Sequence, residues 1–481
     1  MRRDSSLTPH AADCRGWTLA FAALIVCLWH GARGGDAPPR TAAPAGPTAQ
    51  KSAGDAKSAK PEPVFRRDDT RPKHDDARAA ELGIKRYESK HLLLYTDLDP
   101  DVARTLPPLM DAAYLALEDY FGPLPPNRAG TTFQMTGYVM VDAERFRTAG
   151  MLPQKAADLL VHGIYRGAEF WMHSQEYEYY RRHLLVHEGT HCFMSFLSGP
   201  RLPDWYIEGM AEYFGTHHLA ADGQAAFGVM PVDPEDYVGF GRVEMLHEDI
   251  DAGRLRRIEN VLALGSNDYI QSRREPYAWS WAFCKFLDAN PHSQARFREL
   301  RLHLANPGFA ELFTQLFAAD AHDLELEWEL FVRNIVYGFD VERAAIDFRT
   351  AVPLQSGHVS RTEIRADAGW QATGVHVEAG AAYQLSATGE VTLALEPRPW
   401  ISQPQGVSIR YAGGRPIGRV LAAVRADAAG LDDTNGWQEF DVGRSTELSP
   451  AVSGHLFVRV NDDWNSLADN SGAYSIEISR P

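Results

Sequence analysis

Two regimes of hydrophobic patterning divide the chain. HLLLYTD (91 to 97) is a compact apolar run suited to a buried strand, and in the segment after it Leu109, Ala113, Leu117 and Phe121 recur near helical spacing. FQMTGYVMVD (133 to 142) and GAEFWMHS (167 to 174) read as two further strands. Helical patterns then dominate to about residue 350, in PDWYIEGMAEYF, YAWSWAFCKFLDA and LELEWELFVRNIVYG, separated by Pro, Gly and Asn. Beyond that point the pattern shortens to alternating segments such as VHVEAG, AYQLSATGEVTLAL, VSIRYAGG, HLFVRVNDD and AYSIEIS, with Gly or Asn at the bends. Such spacing predicts an antiparallel β-sandwich.

The beginning of the chain has neither pattern. Arg2, Arg3 and Arg15 precede an apolar run from Trp17 to Trp29 that closes on small residues, which predicts a cleaved export signal over residues 1–35. The run is shorter than the roughly 20 apolar residues of a membrane span, and no later stretch approaches that length. Residues 36–80 are rich in Pro, Ala, Lys, Arg and Asp and nearly free of aliphatic side chains, as expected of a disordered linker. The expected organisation is therefore leader, linker, a mixed α+β domain over 81–350 and an all-β domain over 351–481, exported to the periplasm, cell surface or medium.

Composition narrows the function. With 481 residues, 44% apolar, the chain has material for two cores, and a net charge of −16 argues against nucleic acid or anionic lipid as a partner. Removing the leader leaves Cys192 and Cys284, which either pair between two helices or remain buried thiols.

The segment HEGTH carries the chemistry. Residues four apart on a helix share a face, so His187 and His191 can offer imidazole nitrogens to one metal ion, with Glu188 beside it as general base. A catalytic zinc takes a third protein ligand, and Glu208 in PDWYIEGMAEYF is placed to supply it. Residues 192 to 207 leave room for the first helix to end near Ser198-Gly199-Pro200 and a second to return alongside. Glu212, one turn further, would hold a ligand imidazole through its other nitrogen. His217 and His218, just past this helix, read as surface residues.

HEGTH, LPDWYIEGMAEYF and EPYAWSWAFCKFL together resemble the gluzincin metallopeptidases, in particular the peptidase MA-like group, over roughly residues 85 to 345. The resemblance implies a zincin-like fold of small mixed sheet plus helices, Glu208 as third zinc ligand, and Tyr277, which opens the later helix, as the oxyanion donor. Related aminopeptidases carry Gly-Ala-Met-Glu-Asn where this chain has Gly167-Ala168-Glu169-Phe170, a departure that counts against aminopeptidase specificity. Glu169 on an edge strand is still a candidate contact for a peptide added to the sheet.

Near the C-terminus, Asp462, Asp469 and Asn470 place oxygen ligands around one turn, as a hard cation such as calcium prefers. That stretch, with GWQATGVHVEAGAAYQLSATGEV and GGRPIGRVLAAV upstream, resembles the calcium-dependent galactose-binding lectins of the PA-IL type. The resemblance implies a jelly-roll-like sandwich with calcium and carbohydrate as partners. The leading expectation is an exported zinc metallopeptidase acting on peptide, protein or glycoprotein, with its C-terminal module directed to glycan or envelope material. The alternative is a zinc-binding scaffold or carbohydrate-binding protein without hydrolytic activity.

Overall fold

The computed structural model describes residues 65–67, 72–153, 163–197, 202–272, 274–427 and 436–481. The expected leader, and the linker as far as residue 64, lie outside these. A short helix, Asp76–Glu81, falls within the stretch expected as linker, capped by the Asp75 carboxylate accepting from Arg78 N. Arg66 also docks on the fold, donating to Pro125 O at 3.2 Å.

The first sheet contains β1 (Lys85–Glu88), β2 (Leu92–Thr96), β3 (Met135–Met140), β4 (Gly163–Arg166) and β5 (Glu169–His173), in the order β1-β2-β3-β5-β4. β2, β3 and β5 are mutually parallel, while the two outer strands run antiparallel to their neighbours. Alternation explains why the central strands read as unbroken apolar runs. Leu92, Leu94, Met135, Val139, Phe170 and Met172 face the main core, whereas Leu93, Tyr95, Tyr138, Met140 and Trp171 face a second cluster on the other side. Both faces are covered, so neither needs polar residues. β5 is not the edge strand expected from the sequence, because β4 pairs along its outer side.

Helices α1 (Leu106–Phe121), α2 (Glu178–Met194), α3 (Asp204–Gly215), α4 (Arg242–Asp251), α5 (Glu275–Ala289) and α6 (Ala321–Asn334) build the rest of the main core together with shorter helices such as Gln294–Glu299 and Phe309–Phe317. The crossing of α3 and α5 depends on Gly209, where a Cβ would stand 2.6 Å from Cys284 Sγ and 2.7 Å from Ser280 O. Cys192 and Cys284 are both buried and unpaired. His217 is also buried, stacked on Tyr179 with its Nδ1 2.8 Å from Gly215 O, and burial pushes its pKa down to about 4. Only His218 is on the surface as expected. His217 and His218 are successive residues of a short strand, so their side chains point opposite ways.

Residues beyond about 350 form two all-β sheets of six strands each. One is built around Arg415–Ala426, Gly454–Val460 and Gln371–Val377, the other around Ser471–Ser479, Tyr383–Thr388 and Val359–Arg365. They enclose a common core that includes Val375, Leu385, Val424, Val458 and Ile476. The arrangement is antiparallel except where Val352–Pro353 pairs in parallel with Gln371–Val377.

The outer face of the first of these sheets is also apolar. Leu421, Ala423 and Phe457 form a cluster with Ile346 and Trp370, against which Leu326 and Leu330 of α6 pack. Arg425 pairs with Asp323 of α6 at 2.5 Å, Trp464 stacks on Phe339 at 5.7 Å, and Asp340 N donates to Trp464 O. Phe457→Ala would empty a fully buried ring site at this junction and should cost about 3–5 kcal/mol. Chemical denaturation should show a lower midpoint with one transition, followed by both far-UV and near-UV circular dichroism. An unchanged midpoint, or two resolved transitions in the wild type, would contradict a shared core.

Candidate metal centre

The candidate centre lies where α2 meets α3. On α2, His183, His187 and His191 follow one another at helical spacing, and on α3 Glu208 and Glu212 do the same. The two rows interlock. His191 Nε2 and His187 Nε2 lie 3.2 and 3.5 Å from Glu208 Oε2, while His187 Nδ1 and His183 Nε2 lie 3.1 and 3.3 Å from Oε1 and Oε2 of Glu212. This order of pairing means that the helices run antiparallel.

The His187 and His191 Nε2 atoms are themselves 3.0 Å apart. Two nitrogens and one carboxylate oxygen therefore mark a triangle with sides of 3.0, 3.2 and 3.5 Å. Ligands at zinc-like bond lengths of about 2.0 to 2.1 Å in tetrahedral geometry would be roughly 3.3 Å apart, so the residues fit a single ion of that kind. His187, His191 and Glu208 can thus hold a metal ion.

Electrostatics support the same arrangement. Burial alone would raise the Glu208 carboxyl, but His191 and His187 outweigh it and hold the pKa at about 2. Burial would likewise raise Glu212, and Arg242, aided by His183 and His187, overrides it to keep the group well below its ordinary value. Arg242 clamps Glu212 with two hydrogen bonds, Nε to Oε2 at 2.8 Å and Nη2 to Oε1 at 3.1 Å. That fork fixes the carboxylate that faces His187.

Glu188 is buried, and its Oε2 has no hydrogen-bond partner among the described residues. Burial raises its pKa, with His187 and His191 pulling the other way. β4 passes directly over it, since a Cβ on Gly163 would be 2.1 Å from Glu188 Oε1. Tyr277, in the first turn of α5, sits with its ring centroid 6.1 Å from that of His187 and edge-on to Tyr269 at 5.0 Å. Burial, then the nearby Glu208, Glu212 and Glu188, raise its pKa well above the ordinary phenol value.

Glu169 is held by a different network: Tyr138 Oη donates to its Oε1 at 3.0 Å, and His74 Nε2 lies 2.7 Å from the same hydroxyl. In the C-terminal region, Asp462 and Asn470 are buried and Asp469 is exposed. Asp462 Oδ1 accepts from Asp463 N at 2.8 Å, and burial pushes its pKa up to about 6. Asn470 Nδ2 donates to Ala366 O at 3.2 Å, while its Oδ1 lacks a hydrogen-bond partner among the described residues.

Sequence reasoning missed His183, Arg242 and Tyr165, whose ring stacks on His191 at 4.5 Å. His183 could have been found by extending the motif back one turn; Arg242 and Tyr165 carry no local signal. Replacing Arg242 by Met should destabilise the metal-free protein by about 3–5 kcal/mol, because it strands a buried carboxylate. Adding Glu212→Gln should recover part of that loss in a denaturation cycle; strictly additive effects would show that the two residues do not act as a pair.

No protein-family model matches the chain, and no curated protein matches it. Among solved structures, it is similar to the N-terminal domain of EclA, described as a PllA-like lectin, at 22% identity over 25% of this chain and 96% of that one, with a TM-score of 0.20. It is also similar to PliG of Aeromonas hydrophila, a periplasmic inhibitor of g-type lysozyme, at 13% identity over 28% of this chain and all of that one, with a TM-score of 0.17. Among the described residues, no helix is long and apolar enough to cross a membrane.

Proposed function

We propose that this protein is an exported zinc-dependent hydrolase of peptide bonds, of the gluzincin type. The observation that carries the reading is the His187–His191–Glu208 triangle with sides of 3.0, 3.2 and 3.5 Å, adjoined by the buried, unpartnered carboxylate oxygen of Glu188. A zinc ion held by His187, His191 and Glu208 would supply Lewis-acid chemistry and would lower the pKa of water to about 7. Glu188 takes the proton of the attacking water on its free Oε2 and delivers it to the departing amine nitrogen. A carboxylate raised by burial is suited to both halves of that transfer. Tyr277, kept protonated by its surroundings, donates from Oη to the oxygen that gains negative charge. Glu212, locked by Arg242, steadies His187 from behind.

The assay is hydrolysis of a mixed peptide library by the full chain, with metal content measured by plasma mass spectrometry. Wild type should carry about one zinc per chain and lose cleavage on chelation. Glu188→Gln should keep the metal and lose about 100-fold or more of the rate. Identical cleavage by both would remove the enzymatic reading and leave a zinc-binding scaffold.

A second site is favoured by the burial of Asp462 and Asn470. A buried carboxylate and an unpartnered amide oxygen on one turn suit calcium, and a calcium loop on this lectin-like region would give it a carbohydrate partner. Calorimetric titration of calcium into the full chain should give binding heat that Asp462→Asn abolishes. Heat indistinguishable from buffer would rule the ion out.

A further inference from the structure

The two histidines of the triangle are steadied in different ways. A metal-bound imidazole is ordinarily oriented by a hydrogen bond to its second nitrogen. The Nδ1 of His187 faces a carboxylate, the Arg242-clamped Glu212 at 3.1 Å, although this contact lacks hydrogen-bond geometry. His191 Nδ1 is likewise buried without a hydrogen-bond partner among the described residues, and no carboxylate of those residues pairs with it. What His191 has instead is Tyr165, whose ring lies nearly parallel to the imidazole, 16° between planes and 4.5 Å between centroids.

The position of Tyr165 follows from strand geometry. β4 is the outermost strand of its sheet, and alternate residues of a strand share a face, so Gly163 and Tyr165 both look toward α2. Gly163 presses its bare Cα against Glu188, and Tyr165 lays its ring against His191. An aromatic face at this separation opposes rotation of the imidazole out of the plane that directs Nε2 at Glu208, 3.2 Å away.

We propose that Tyr165 is the positioning residue for His191, a ring stack standing where His187 has a carboxylate. This rests on the reading of His187, His191 and Glu208 as a zinc site. The ring face performs the role, and β4 governs the metal through one ligand while it crowds the base through its neighbour.

The test is zinc affinity of the full chain by competition with a chromophoric chelator, together with the visible spectrum of the cobalt(II)-substituted protein. Tyr165→Phe should bind within about twofold of wild type with an unchanged cobalt spectrum, whereas Tyr165→Leu should bind about 10-fold more weakly with an altered one. Tyr165→Ile, whose β-branched side chain suits a strand, is the second ringless variant should the leucine protein fail to fold. Folded ringless variants with wild-type affinity and spectrum would overturn the proposal, as would a Phe variant as impaired as Leu. If the wild type itself takes up no zinc, the metal site falls and this inference with it; if it binds normally and the variants do not differ, only the role of Tyr165 falls.

Discussion

Everything at the candidate centre depends on the buried contact between Glu212 and Arg242. Glu208, Glu212 and Glu188 bring three carboxyl groups to one helix interface, and burial opposes ionisation of each. The Arg242 guanidinium supplies a fixed positive charge at the inner end of the row, so Glu212 stays ionised and keeps its two oxygens facing His183 and His187. That arrangement leaves Glu208 as the carboxylate turned toward both Nε2 atoms. The interface thus places two glutamates one turn apart in different surroundings, Glu212 against Arg242 and Glu208 against the two Nε2 atoms.

Placements that follow from chain-local periodicity are legible in the sequence. His187, Glu188 and His191 lie within one helical turn, and Glu208 and Glu212 repeat the same interval, so a helix alone predicts which face each pair shares. The strands at 92, 135 and 169 were equally plain, since coverage on both faces makes their apolar runs continuous. Arg242 and Tyr165 were not legible, because each acts on a partner far along the chain and sits in an element whose own pattern says nothing of that partner. β5 was misplaced as an edge for a related reason. β4 is only four residues long, too short to announce itself beside a glycine turn. His217 shows the opposite failure, a buried residue taken for a surface one although strand alternation with His218 would have separated them.

The C-terminal region illustrates how one strand can serve two cores. Along Arg415–Ala426, Val420, Ala422 and Val424 face the interior between the sheets, while Leu421 and Ala423 face the helical region. Gly454–Val460 divides in the same way, with Phe457 directed outward and Arg459 held among Trp370, Trp464 and Asp462 O. Burial pushes the Arg459 pKa down to about 10. The turn that carries Asp462 and Asn470 also contains Trp464 and Asn465, and Asn465 Nδ2 donates to Tyr337 O at 2.9 Å.

That seam determines which surfaces the β region can offer to the outside. The outward side chains of Leu421, Ala423 and Phe457 are already covered by the helical region, so this part of the sheet is closed to a visiting molecule, whereas Ile409 and Tyr411 on Gln405–Ala412 remain exposed. Exposed positions also lie on the opposite sheet, where Ser471–Ser479 and Val359–Arg365 alternate between buried and more accessible side chains. In this chain the packing of the helical region decides which part of the β region meets solvent.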